Sequence, residues 1–298
     1  MDVDAVFAGG GVRAFAFIGA LEVTEQKGLK FHRIAGTSAG AIVAALVMAG
    51  YRSDELLETL STLDVKTLQD ERFPYLPFPF VKWLNLYFRL GLYKGDRLEQ
   101  WLQDCLEKKG VRSFEDLPQG ALKIVVSDVT RGRIVVLPDD LKDYGIIPEK
   151  YSVARAVRMS CSIPYFFEPV KLHHKTVDRG VSYIVDGGLL SNFPMWIFHD
   201  RKKTPRRPVV GFQLSPQLEE EPPHQIYNAF DMYKAVFDTM MSAHDKRYIS
   251  KEHAKNIVFI PVDTVKVTDF SVTDVEKEAM IAVGHEKTAA FLENWPSS

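Results

Sequence analysis

The first fifty residues alternate strand-like and helix-like stretches across glycine turns, and this alternation constrains the fold most. Val3 to Phe7 is short, apolar and β-prone, and it stops at Gly9-Gly10-Gly11. Ala14 to Gln26 carries Ala14, Phe17, Ile18, Leu21 and Glu25 at helical spacing, and Gly28 closes it. Phe31 to Ala35 reads as a second strand and Gly36-Thr37-Ser38-Ala39-Gly40 as a tight turn. Ala41 to Ala49 is a small-residue apolar run that reads as a buried helix. Such a chain folds as α/β, in three layers, with a mostly parallel central sheet and helices on both faces.

The same alternation continues downstream. Asp96, with Glu99 three residues on, reads as a helix N-cap and its box partner, the helix ending at Gly110. Strands are expected at Leu122 to Ser127, Arg133 to Leu137, Tyr183 to Val185, Val209 to Leu214 and Ile257 to Ile260. Helices are expected from Ser53, over Val153 to Met159, from Ile226 to about Lys255, and from Asp274 to about Asn294. No repeat or composition break divides the 298 residues, so 1–298 reads as one domain with insertions.

Composition excludes several classes. With 46% hydrophobic and 26% charged residues the chain is neither disordered nor collagen-like. A net charge of −2 argues against a nucleic-acid binder that works by neutralising phosphates. Cys105 and Cys161, the only two cysteines, stand in no zinc-ligand spacing, so no metal site is expected. The start, Met1-Asp2-Val3-Asp4, is acidic and enters a strand at once. A secretory signal needs a basic start and an apolar run, so a cytoplasmic protein is expected, with peripheral membrane contact left open.

Phe73 to Tyr93 stands apart, because eight of its 21 residues are aromatic. Three prolines, Lys82 and Arg89 disqualify it as a membrane span. Phe80 to Leu90 can form a helix. The segment reads either as a loop and helix packed on the core, or as a lid or acyl-chain wall that meets lipid.

Three short motifs can carry chemistry. Gly36-Thr37-Ser38-Ala39-Gly40 matches G-x-S-x-G, follows a strand and opens a helix, as a nucleophile elbow requires. A helix-capping serine in a glycine turn is the plain alternative. A serine hydroxyl needs a base. One route is a histidine with a supporting carboxylate, drawn from His199, His224, His244, His253 or His285. The other is a carboxylate acting directly, and Asp186 is the best placed. It lies where an apolar strand stops at Gly187-Gly188, the edge of an open α/β sheet where sites form. Third, Gly9-Gly10-Gly11-Val12-Arg13 exposes successive amides after a strand, a nest that can hold an oxyanion. Gly9-x-Gly11-x-x-Ala14 also fits a dinucleotide fingerprint, but the acidic residue expected after the second strand is missing. Asp128 to Gly132 reads as a hairpin turn. His173-His174 on a strand would point to opposite faces and so makes a poor metal pair.

Taken in order, these motifs resemble the patatin-like phospholipase family. Ala154-Arg155-Ala156, Ser160-Cys161-Ser162-Ile163-Pro164-Tyr165-Phe166-Phe167 and the Gly95-Asp96 helix start are similar to it as well. The resemblance spans residues of about 5 to 195. It implies lipid acyl hydrolysis by a Ser–Asp dyad, without catalytic histidine, metal or cofactor. By position Ser38 is then the nucleophile and Asp186 the base. The amides of Gly10, Gly11 and Val12, with Arg13, form the oxyanion hole, and Gly9, Gly36, Gly40, Gly187 and Gly188 are motif glycines. Phospholipid or another lipid ester is the implied substrate. Ala14 departs from the glycine that many members carry there. Two other readings stay open: a Ser-His-Asp esterase or thioesterase for soluble acyl esters, and a non-catalytic lipid-binding protein.

Overall fold

A computed structural model describes residues 1–62, 70, 86–174, 180–198, 207–214, 226–228, 231, 232, 235, 236, 239, 254–262 and 272–295. Along the chain run β1 (Asp2–Phe7), α1 (Ala16–Gln26), β2 (Lys30–Thr37), α2 (Ala39–Met48), α3 (Ser53–Ser61), β3 (Gly91–Tyr93), α4 (Asp96–Lys108) and β4 (Leu122–Asp128). There follow β5 (Arg133–Leu137), α5 (Val153–Ser160), β6 (Tyr165–Phe167), β7 (Val170–His173), β8 (Val181–Asp186), β9 (Val209–Gln213), β10 (Ile257–Phe259) and α6 (Asp274–Asn294).

Eight strands form one mixed sheet flanked by helices. β10, β9, β1, β2 and β4 are parallel neighbours in that order. β5 and β8 run antiparallel to β4, and β7 antiparallel to β8. The parallel half is the part that the strand–helix alternation encodes. The other half returns through connections too short for a crossover helix, such as the turn from Asp128 to Arg133.

β4 is the pivot of the sheet. Ile124 to Asp128 pair with β5 along one edge, so β2 and β8 must share the other. β2 takes Leu122 to Val125 and β8 takes Val126 to Asp128. The two strands therefore meet end to end. Thr37 stands opposite Val125 and Asp186 opposite Val126, so residues far apart in sequence arrive at one junction.

The strand period of two divides β1 between two apolar clusters. Val3, Ala5 and Phe7 enter the main core with Phe17 and Ala20 of α1 and Ala41, Ala44 and Ala45 of α2. Val6 and Ala8 enter a smaller cluster with Phe193, Met195 and Phe198. Phe7 stacks on Phe212 at 5.0 Å between ring centres and meets Phe17 edge-on at 5.1 Å.

Two helix starts differ from expectation. The Ala14 helix begins as a 3-10 turn, Gly11–Phe15, and becomes α-helical at Ala16. Asp96 is not the cap of α4. Gly95 is the N-cap residue, and the carboxylate of remote Asp70 accepts the amides of Gly95 (2.7 Å), Asp96 (2.8 Å) and Arg97 (3.2 Å). Glu99 pairs with Arg155 instead of closing a box.

Residues 73–85 of the aromatic segment lie outside the described residues, as do most of the helix expected over 226–255 and His199, His224, His244 and His253. Residues 86–89 form a helical turn and Gly91–Tyr93 is β3, paired with β6. Among the described residues no helix is long and apolar enough to cross a membrane.

Candidate active site

Each motif sits at the carboxyl end of a strand in the parallel half or at its junction. β1 ends in the glycine loop, β2 ends at Ser38, and β8 ends at Asp186. Ser38 has φ 52° and ψ −125°, a left-handed conformation that costs a non-glycine residue about 1–3 kcal/mol. The strain turns its side chain out of the sheet and starts α2 at the next residue. Glycine is required on both sides because the elbow is crowded. A Cβ on Gly36 would collide with the Gly40 carbonyl, and one on Gly40 with the carbonyls of Phe7 and Ala8.

The dyad is formed. Ser38 Oγ donates to Asp186 Oδ2 at 2.6 Å. The other carboxylate oxygen, Oδ1, accepts the Gly188 amide at 2.8 Å. Asp186 is buried, which pushes its carboxyl up to about 7, against the opposing effect of those two donors. His285 lies on α6, which packs against α1, and the serine hydroxyl already meets the carboxylate directly with no imidazole between them.

In the glycine loop, Gly11 has φ 56°, a conformation that favours glycine. The amides of Gly10, Gly11 and Val12 donate to no other described residue. The Arg13 amide instead donates to the Gly10 carbonyl at 3.2 Å, closing the turn. Three consecutive amides thus have no acceptor among the described residues, an arrangement that can hold an anion.

The end of α5 is bonded to both Ser38 and Asp186. The Ser38 amide donates to Ser160 Oγ at 2.8 Å, and that hydroxyl donates to the Val125 carbonyl at 2.6 Å. The Asp186 amide donates to the Ser162 carbonyl at 2.9 Å. Arg158 is buried beneath them and donates to Ser162 Oγ and to the carbonyls of Lys94, Gly95 and Glu168. Its burial depresses the guanidinium below its ordinary range. In the sequence the 160–167 run stands out only as part of the family resemblance. That Ser160 and Ser162 accept the amides of Ser38 and Asp186 is visible only once α5 is placed against β2 and β8.

Other singled-out residues have structural places. Asp128 Oδ1 accepts the amides of Thr130 and Arg131, both at 3.0 Å, and closes the β4–β5 hairpin. His174 pairs with Ser182 at 2.9 Å and Arg131 at 3.1 Å. Cys105 and Cys161 are buried free thiols. Among the described residues no group of acidic, His or Cys side chains could hold a metal ion.

Fold and site together define an α/β protein of the serine acyl hydrolase class. Comparison narrows the class. The chain belongs to the patatin-like phospholipase family, whose sequence model matches residues 5–199. Members of this family are serine-nucleophile lipid acyl hydrolases. The Bacillus subtilis protein YqhO is 50% identical over 295 residues, which cover 99% of each chain. Human omega-hydroxyceramide transacylase is 24% identical over 198 residues, 65% of this chain and 32% of that protein. Among solved structures, Legionella pneumophila VipD superposes with a TM-score of 0.57 at 16% identity, covering 98% of this chain and 67% of that one. ExoU of Pseudomonas aeruginosa, in complex with SpcU, gives 0.54 at 18% identity, covering 99% of this chain and 52% of that one. At such identities the structures show a shared fold.

Proposed function

We propose that the chain cleaves fatty-acyl esters of phospholipids with Ser38 as nucleophile and Asp186 as its base. The 2.6 Å hydrogen bond from Ser38 to Asp186 carries this reading. Ser38 Oγ attacks the ester carbonyl while its proton passes to Asp186. The developing oxyanion is met by the amides of Gly10, Gly11 and Val12, within the field of Arg13. One such donor is worth roughly 3–4 kcal/mol in comparable sites. Collapse expels the alcohol, which takes the proton from Asp186. Water then gives a proton to Asp186 and attacks the acyl-serine; as the bond to Ser38 Oγ breaks and the fatty acid leaves, Asp186 returns that proton to Ser38 Oγ. A base whose carboxyl sits near 7 suits proton transfer at neutral pH. The exposed Tyr87 and Phe88 beside β3 support peripheral contact with a lipid surface, the substrate entering from that side.

The test is fatty-acid release from phosphatidylcholine and phosphatidylglycerol vesicles, beside turnover of a short-chain nitrophenyl ester. Ser38→Ala and Asp186→Asn should each lower both rates by at least about 10³-fold with the fold retained. Full activity in the Asp186→Asn protein would remove the dyad and return a histidine to the mechanism. Ester turnover without vesicle turnover would point to soluble acyl esters.

A further inference from the structure

We propose that Asn192 is a positioning residue for the oxyanion loop, aiming the Gly10 amide by gripping Gly9. The proposal rests on the hydrolase reading above and adds a residue outside the dyad and the glycine loop.

Asn192 holds both backbone groups of Gly9. The Gly9 amide donates to the Asn192 backbone carbonyl at 3.0 Å, and Asn192 Nδ2 donates to the Gly9 carbonyl at 3.4 Å. The fit leaves no space. A Cβ on Gly9 would collide with Asn192 Oδ1 and would stand 3.3 Å from the Cβ of Ser38. The side-chain amide, the glycine and the nucleophile are therefore packed neighbours.

Peptide geometry carries the consequence. The Gly9 carbonyl and the Gly10 amide belong to one peptide plane, and the bond is trans. In a trans peptide the two groups point in opposite directions. A carbonyl turned toward Asn192 directs the Gly10 amide away from it, and that amide donates to no described residue. The grip sets the aim of the first oxyanion donor.

Asn192 makes this contact at a cost. It is 8% exposed, and its Oδ1 is buried with no hydrogen-bond partner among the described residues. Turning the amide over would set that oxygen against the Gly9 carbonyl. An unpaired buried oxygen is a poor stabilising device. Its arrangement is understandable as the price of a donor fixed on Gly9.

The experiment compares wild type, Asn192→Asp and Asn192→Ala on a nitrophenyl ester and on the matching thionoester. Sulfur accepts hydrogen bonds weakly, so the thionoester gains little from the oxyanion donors. Asn192→Asp keeps the size but removes the donor. It should lower kcat on the ester on the order of 10²-fold with KM unchanged. The thionoester rate should fall much less, so that the ester preference shrinks. Equal loss on both substrates means a structural role, and an unchanged kcat means none; either overturns the proposal. A readout on the wild type stands if the variants do not fold. The Gly10 amide proton should move downfield in the NMR spectrum when Ser38 carries a phosphonate, and no movement overturns the proposal. A wild type without Ser38-dependent turnover defeats the hydrolase reading and this inference with it. Wild-type turnover beside an equally fast Asn192→Asp protein defeats this inference alone.

Discussion

The folded chain holds the Asp186 proton up to about pH 7, whereas an ordinary aspartate releases it near 3.8. Between these values the folded state binds more protons than the unfolded state. On this group's account stability is full below about pH 4 and falls as pH rises toward 7. In the proposed mechanism catalysis has the opposite slope, because Asp186 must be ionised to act as base. We expect kcat/KM to rise with pH along a limb near 7, and Asp186→Asn to be inactive. Urea unfolding should show Asp186→Asn more stable than wild type at pH 8 and equal to it at pH 4. A variant of equal stability at both values would mean that the carboxylate is not under strain. The sequence offered Ser38, Asp186 and the glycine loop as candidates because each sits in a short motif, and the fold brings Ser38 and Asp186 within hydrogen-bond distance. The sequence did not offer Ser160 or Asn192 as site residues. They act across separations of 122 and 183 residues, and only the folded chain brings them to Ser38 and Gly9.

At the scale of elements, α6 docks on α1 through a pair of glycines. A Cβ on Gly284 would collide with the Ala16 carbonyl, and one on Gly19 with the Ile281 carbonyl. In an open helix interior, replacing glycine by alanine gains roughly 1 kcal/mol of helix propensity. Here the methyl meets backbone that cannot step aside, and overpacking costs about 1–3 kcal/mol. The second effect wins, so Gly284→Ala should lower stability, and Gly284→Val should lower it further. Denaturant unfolding measures the sign, and a stabilised Gly284→Ala protein would refute close docking. The span of α6, Asp274–Asn294, was readable from its pattern, but its partner was not. The start of α4 shows the same limit. Asp96 has the right residue type for a cap, yet Asp70 supplies the carboxylate from outside the local sequence. Local signals locate a helix end, and tertiary structure decides what satisfies it.

At the scale of the whole molecule, the parallel half of the sheet was written in the strand–helix alternation. The end-to-end meeting of β2 and β8 on β4 was not, because register is a property of pairing. That junction brings Ser38 and Asp186 together against the middle of β4, with the end of α5 bonded to both. The aromatic segment returns to the same neighbourhood. β3 pairs with β6, which begins five residues after Ser160, and the turn at 86–89 leads directly into β3. Tyr87 is 78% exposed and Phe88 70%, and their rings meet edge-on at 5.0 Å. Two adjoining aromatic rings held out in water gain free energy wherever they enter a lipid interface, about 1.5–3 kcal/mol for each ring fully buried. Since 1.4 kcal/mol is a tenfold change in partitioning, replacing both by serine should weaken vesicle binding by about 10-fold or more. The soluble nitrophenyl ester needs no interface, so its kcat/KM should stay within about two-fold of wild type. Assaying Tyr87→Ser with Phe88→Ser on both substrates, beside vesicle sedimentation, separates the possibilities. Equal losses on both substrates would place the rings in the fold or the acyl pocket, and undiminished sedimentation would show that lipid is met elsewhere.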